Sequence, residues 1–300
     1  MPRHRIAGFL IVGCLLLSAC GRSGAGAGST QSIDEQIGLD EEGMLQRQAQ
    51  AENGIRDCMK AQGFEYVPVD PAAERAALVG AAGMSKDDFE KQYGYGITTL
   101  YEQRRKQIGA GANDAIRAAL SPADRIAYDR ALHGDDPTAT LAQALDSGDF
   151  THLGGCIRKA TETVFGGAET LTTLQSKLDE LDERIQADPR MVEAVSKWSA
   201  CMRAAGFGGL QHPQDVDATL QRKLDAIVGT PDAASAPTSA EPDYDTAALA
   251  ALQHEEVAMV AADKACESRY IADVEEKVAA GYERTFREEN AALLSKVPAR

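Results

Sequence analysis

Six cysteines, five histidines and 46 carboxylates are the residues here whose types could support chemistry, and their spacing decides which chemistry is open. A zinc site needs ligands brought together, commonly two histidines four apart on one helix face. His133, His152, His212 and His254 are scattered, and His254-Glu255-Glu256 lacks the second histidine of a zinc-protease helix. They read as surface or loop side chains, so no metal and no other cofactor is expected. No Gly-x-Ser-x-Gly turn presents a serine nucleophile. Asp179, Glu180, Asp182 and Glu183 form paired carboxylates, but on a surface helix these are solvated charge. A general acid needs a buried carboxyl with a raised pKa. A hydrolase would therefore require buried carboxylates, or a histidine–carboxylate pair, that converge only in three dimensions. Aromatic residues are sparse, yet Tyr66, Tyr93, Tyr95 and Tyr101 gather around the glycines of Tyr93-Gly94-Tyr95-Gly96. They could line a pocket or a protein contact, although packing of a loop against helix ends is the more ordinary use of such residues.

The elements that must position these residues are helices. Ser85 is an N-cap signal for the segment from Lys86 to Tyr93, and Ser121-Pro122-Ala123-Asp124 combines a cap, a first-turn proline and an acid. Leu171, Leu174, Leu178, Leu181 and Ile185 repeat at intervals of three and four, an amphipathic stripe. Asp188-Pro189 ends one helix and starts the next, and Thr246 to Ser295 reads as one long helix or a pair broken at Gly281. Continuous β alternation is absent. The fold class expected is all-α.

One element occurs twice. Cys58-Met59-Lys60-Ala61-Gln62-Gly63-Phe64 matches Cys201-Met202-Arg203-Ala204-Ala205-Gly206-Phe207, with Ile55 corresponding to Trp198. The pattern reads as a helix C-terminus in which Gly63 and Gly206 take left-handed backbone, and Met and Phe close the cap as a hydrophobic pair. Two copies predict two related helical halves, 33–168 and 169–300, the second carrying a Pro/Ala/Ser-rich insert at 229–243. A cleft between the halves, walled by Tyr93, Tyr95 and Trp198, is the place to expect a small ligand.

The first twenty residues are an address. Arg3 and Arg5 precede the apolar run Ile6–Leu17, which is too short to span a bilayer, and Leu17-Ser18-Ala19-Cys20 follows. This is a secretory signal peptide over 1–19. Its cleavage box resembles the lipobox of bacterial lipoproteins, and the resemblance implies that Cys20 is acylated and becomes the mature N-terminus. Residues 20–32 then form a glycine- and serine-rich tether spanning about 20 Å. Cys14 departs with the leader, and with Cys20 assigned to lipid, Cys58, Cys156, Cys201 and Cys266 remain for two disulfides in an oxidising compartment. Duplication favours Cys58 with Cys156 and Cys201 with Cys266. A pseudo-twofold packing would instead permit Cys58 with Cys201.

The net charge of −15 becomes −17 once Arg3 and Arg5 are removed. That balance argues against nucleic acid and against adsorption to anionic headgroups, so membrane association would rest on the lipid. The lipobox, the Cys-Met-x-x-x-Gly-Phe helix ends, Tyr93-Gly94-Tyr95-Gly96-Ile97, Gly155-Cys156 and Ala262-Asp263-Lys264-Ala265-Cys266 together resemble a group of uncharacterised actinobacterial secreted lipoproteins. The resemblance implies the extracytoplasmic face of the cell membrane and carries no activity. The functional expectation is a binding or accessory component of the cell envelope with an envelope protein as partner. Small-ligand binding in the aromatic cleft is the first alternative and an envelope hydrolase the second.

Overall fold

The computed structural model describes residues 33, 37–70, 73, 76–77, 84–107, 111–135, 149–229 and 244–298. The expected signal peptide over 1–19, the expected lipid site Cys20 with its tether, and all but the first residue of the expected 229–243 insert lie outside the described residues. Among the described residues the fold is all-α, with no strand. The helices are α1 (Glu41–Ala61), α2 (Lys86–Tyr93), α3 (Tyr101–Gln107), α4 (Ala112–Ala119), α5 (Pro122–His133), α6 (Gly155–Phe165), α7 (Ala168–Gln186), α8 (Pro189–Ala204), α9 (Asp215–Val228), α10 (Thr246–Tyr270), α11 (Ala272–Glu289) and α12 (Ala291–Leu294).

The expected start signals operate locally. Ser85 accepts from the Asp88 amide and Ser121 from the Asp124 amide, while Asp188 caps α8 through the Arg190 amide. Two helices come in addition to those expected, α4 and α9, and α9 buries Val216, Leu220 and Leu224 at four-residue intervals. The long C-terminal helix breaks at Ile271, not at Gly281. A helical glycine costs only about 1 kcal/mol relative to alanine, and burial of Val278, Ala279 and Phe286 around it outweighs that.

The chain forms two compact units. Unit 1 takes 1–72, 112–185 and 279–300, and unit 2 takes 73–111 and 186–278. The expected halves follow one another along the chain, whereas these units interleave. Segment 84–107 belongs with 186–278 because α10 presents two carboxylates, Glu256 and Asp263, whose hydrogen-bond donors include Tyr95, Ile97 and Thr98.

In unit 1, α1, α5 and α6 surround a core that includes Ile55, Met59, Tyr128, Phe150, Ile157, Val164 and Phe165. Arg47 is buried within it, 3% exposed, and donates to the carbonyls of Ile37, Gly38, Val164 and Pro298. Its guanidinium also lies 5.6 Å from the Phe165 ring centroid. A buried cation needs every donor engaged, and here carbonyl oxygens, one of them in the last turn of α6, replace the usual carboxylate. In unit 2, α8, α9 and α10 pack around Met191, Trp198, Met202, Leu220, Leu252 and Val260.

The repeated element closes a helix in each unit. The Phe64 amide donates to the Met59 carbonyl at 3.0 Å and the Gly63 amide to Lys60 at 3.0 Å. In the second copy Phe207 reaches Met202 at 2.9 Å and Gly206 reaches Arg203 at 3.1 Å. These are the paired bonds of a Schellman cap, with φ of +85° at Gly63 and +99° at Gly206. Each unit then carries its own disulfide one residue before the cap methionine. Cys58 is bonded to Cys156 and Cys201 to Cys266, the within-half pairing.

Candidate functional site

Chemistry-bearing side chains converge in unit 2, on the inner face of α10. That face runs Leu249, Leu252, Glu256, Met259, Asp263 and Cys266, all buried. Their intervals alternate between three and four, so all six lie along one stripe. Glu256 and Asp263 occupy places where an apolar residue is expected. At 0% and 1% exposure, both carboxylates have to find partners inside the protein.

Glu256 finds them in the loop between α2 and α3. Its Oε1 accepts from the Ile97 amide at 2.8 Å, and its Oε2 accepts from the Thr98 amide at 2.7 Å, the Thr99 amide at 3.0 Å and the Thr98 hydroxyl at 2.6 Å. Three successive amides converging on one carboxylate form a small anion cradle, here filled by the protein's own side chain. The loop's glycines make the approach possible. A Cβ at Gly94, whose φ is +63°, would lie 2.8 Å from Glu256 Cγ. Gln253 adds a bond to the Thr98 carbonyl at 3.1 Å. Arg104, on α3, turns its guanidinium back onto the carbonyls of Gly96 and Ile97 at 2.5 Å each, so donors and acceptors of the loop are both engaged.

Asp263 takes the other end of the same loop. Tyr95 Oη lies 2.5 Å from Asp263 Oδ2, and Trp198 Nε1 donates to Oδ1 at 2.8 Å. Burial, and then the charge of Glu267, push the Asp263 carboxyl up to about 7, against the two hydrogen bonds and Lys264, which act the other way. Asp217 on α9 is pushed up to about 6, first by burial and then by Glu256, and its Oδ1 is buried without a hydrogen-bond partner. Burial and the neighbouring Asp263 also raise the Tyr95 hydroxyl far above its ordinary range. Lys264 lies 5.2 Å from the Tyr95 ring centroid and 3.2 Å from Glu267.

The aromatic residues singled out in the sequence have separate places. Tyr95 and Trp198 meet on one carboxylate inside unit 2, with Trp198 fully buried. Tyr93 packs at 5.4 Å from Phe89, and its carbonyl accepts from the Thr99 hydroxyl. Tyr66 belongs to unit 1, where its hydroxyl donates to Glu52 at 3.0 Å. Tyr101 stacks edge-on with Tyr244 at 5.8 Å. Tyr66 thus belongs to unit 1, and Tyr93, Tyr95, Tyr101 and Trp198 belong to unit 2.

Buried carboxylates thus converge, as a hydrolase would require, but in a different chemical condition. Both Glu256 oxygens are consumed by the backbone, and both Asp263 oxygens by Tyr95 and Trp198. Neither residue is open to a substrate. Among the described residues no three His, Cys, Asp or Glu side chains are placed to hold a metal ion. His133 is half-buried, His152 lies beside Asp149 at 3.3 Å, and His212 and His254 are exposed. Sequence reasoning missed Glu256, Asp263 and Asp217, although two acids within an otherwise apolar three-and-four stripe were a readable signal.

An open groove of about 610 Å³ lies in unit 1, lined by Cys58, Gln62, Phe64, Ala127, Arg130 and Lys159 among others. Comparison with known protein families, with curated proteins and with solved structures found no match.

Proposed function

We propose that the protein is a lipid-anchored, extracytoplasmic helical component of the cell envelope that acts by binding and not by catalysis. The observation that carries this reading is the use made of the chemistry-bearing residues in unit 2. Glu256, Asp263, Tyr95 and Trp198 are spent on holding the 94–99 loop and one another, a structural use of buried polar groups. The two disulfides suit an oxidising compartment, in agreement with the signal peptide. Among the described residues no helix is long and apolar enough to cross a membrane, so the reading places attachment on the lipid at Cys20. Anchor and tether would confine an acidic body near the membrane and raise its effective concentration for envelope partners. The net charge of −15 argues against nucleic acid as a partner.

The anchor is tested by Cys20→Ala. The variant should move from the membrane pellet to the soluble fraction; sedimentation with membranes after a salt wash would sink the assignment. A second reading, small-ligand binding, draws on the unit 1 groove, where Arg130 and Lys159 stand beside Phe64 and the disulfide. Its mark would be a rise in unfolding temperature with a small anionic, partly apolar molecule.

A further inference from the structure

Unit 2 concentrates negative charge where water is scarce. Glu256 and Asp263 are buried on α10, and the half-buried Asp217 on α9 feels the charge of Glu256. The other charged or titratable groups facing this cluster are Lys264 and Glu267 on α10, Glu90 on α2, Tyr95 in the loop and Arg104 on α3. The element α8 contributes Trp198, which is neutral. Carboxylates outnumber cations, and Lys264 is shared, lying 3.7 Å from Glu90 as well as near Glu267.

The groups differ in how well each tolerates charge. Three backbone amides, which can only donate, and the Thr98 hydroxyl hold Glu256. Asp263 is different: the Tyr95 hydroxyl both donates and accepts, so a proton on Oδ2 keeps the contact with the bond direction reversed. The buried Oδ1 of Asp217 has no donor at all, the worst condition for an ionised oxygen. A proton entering the cluster therefore belongs on Asp263 or Asp217.

The walls of the cluster also differ. The helices α8 and α10 are joined by the Cys201–Cys266 disulfide, and α9 packs on α10 through apolar side chains. The 94–99 segment has no helix of its own and is fastened to α10 through Glu256, Asp263 and Gln253. If the carboxylates must be hydrated, this is the wall that yields.

We propose that Asp217, Glu256 and Asp263 form a proton-operated clasp, closed on the 94–99 loop while the cluster holds a proton and loosened when the last proton leaves. The sign follows from the raised carboxyls. Stability contributed by Asp217 and Asp263 is fully present below the ordinary carboxylate range and is lost as pH rises through about 6 and about 7. On the proposed reading that the protein is exported, the clasp reports the external pH.

Trp198, the only tryptophan, touches Asp263 and is a built-in reporter. In the full chain its fluorescence should change between about pH 5 and about pH 8, with a midpoint near 6–7. Over the same range, hydrogen-exchange protection at Ile97, Thr98 and Thr99 should fall roughly tenfold after correction for intrinsic rates. The Asp217→Asn/Asp263→Asn pair, which mimics the protonated acids, should abolish both changes. A flat wild-type profile in both measurements would overturn the proposal, and so would a folded variant that keeps the transition. Should the double variant not fold, Asp263→Asn alone must reduce or remove the tryptophan change; an unaltered profile there also overturns it.

Discussion

Glu256→Ala should destabilise unit 2 by about 4 kcal/mol or more, the largest effect expected of a single substitution in this chain. The side chain accepts four hydrogen bonds from buried or half-buried donors. Removing it orphans three amides and the Thr98 hydroxyl, and each unsatisfied buried donor costs about 1–3 kcal/mol. A cavity at a fully buried position adds to this. With total stability of about 5–15 kcal/mol for a typical domain, the loss approaches the whole. Glu256→Gln should lose less, because Oε1 still accepts while the amide nitrogen faces donors. Denaturant unfolding followed at Trp198 measures both, since that residue lies in unit 2. A loss below about 1 kcal/mol for Glu256→Ala would mean that the cradle is not what fastens the loop.

The second large effect concerns the disulfides. Cys58–Cys156 closes a separation of 98 residues and Cys201–Cys266 one of 65. In the chain-entropy account each removes about 4–5 kcal/mol of denatured-state freedom. Replacing Cys201 and Cys266 with alanine should lower the Trp198 transition strongly. Replacing Cys58 and Cys156 should act first on far-ultraviolet ellipticity from unit 1, where that bridge lies. Equal sensitivity of the tryptophan signal to both replacements would contradict the assignment of one bridge to each unit.

How far these features were legible follows from how local their causes are. The caps at Ser85, Ser121 and Asp188 need only neighbouring residues, and the pattern shows them. The Schellman caps at Gly63 and Gly206 are equally local, and the repeat announces them. The disulfide pairing was narrowed by assuming that each copy carries its own bridge. Between one long helix and a pair with Gly281 as the weak point, the sequence does not decide; the break falls at Ile271, because a glycine's weak penalty yields to the burial of its neighbours. The carboxylates of α10 depend on donors 158 and 168 residues away, at Thr98 and Tyr95. Periodicity identified α10 as a helix, but an acid inside an apolar stripe reveals its role only when the opposing segment is known. Arg47 is the same case in unit 1, since its carbonyl partners come from three separate stretches of chain.

The central claim, binding at the envelope without catalysis, is tested most directly by crosslinking in intact cells. The full chain and its Cys20→Ala form would be expressed at equal levels, each purified after crosslinking, and what is joined to them identified. The account predicts a stoichiometric envelope protein joined to the anchored form and strongly depleted from the unanchored one. Recovery of the anchored protein alone, under conditions that capture a known envelope complex, would contradict it.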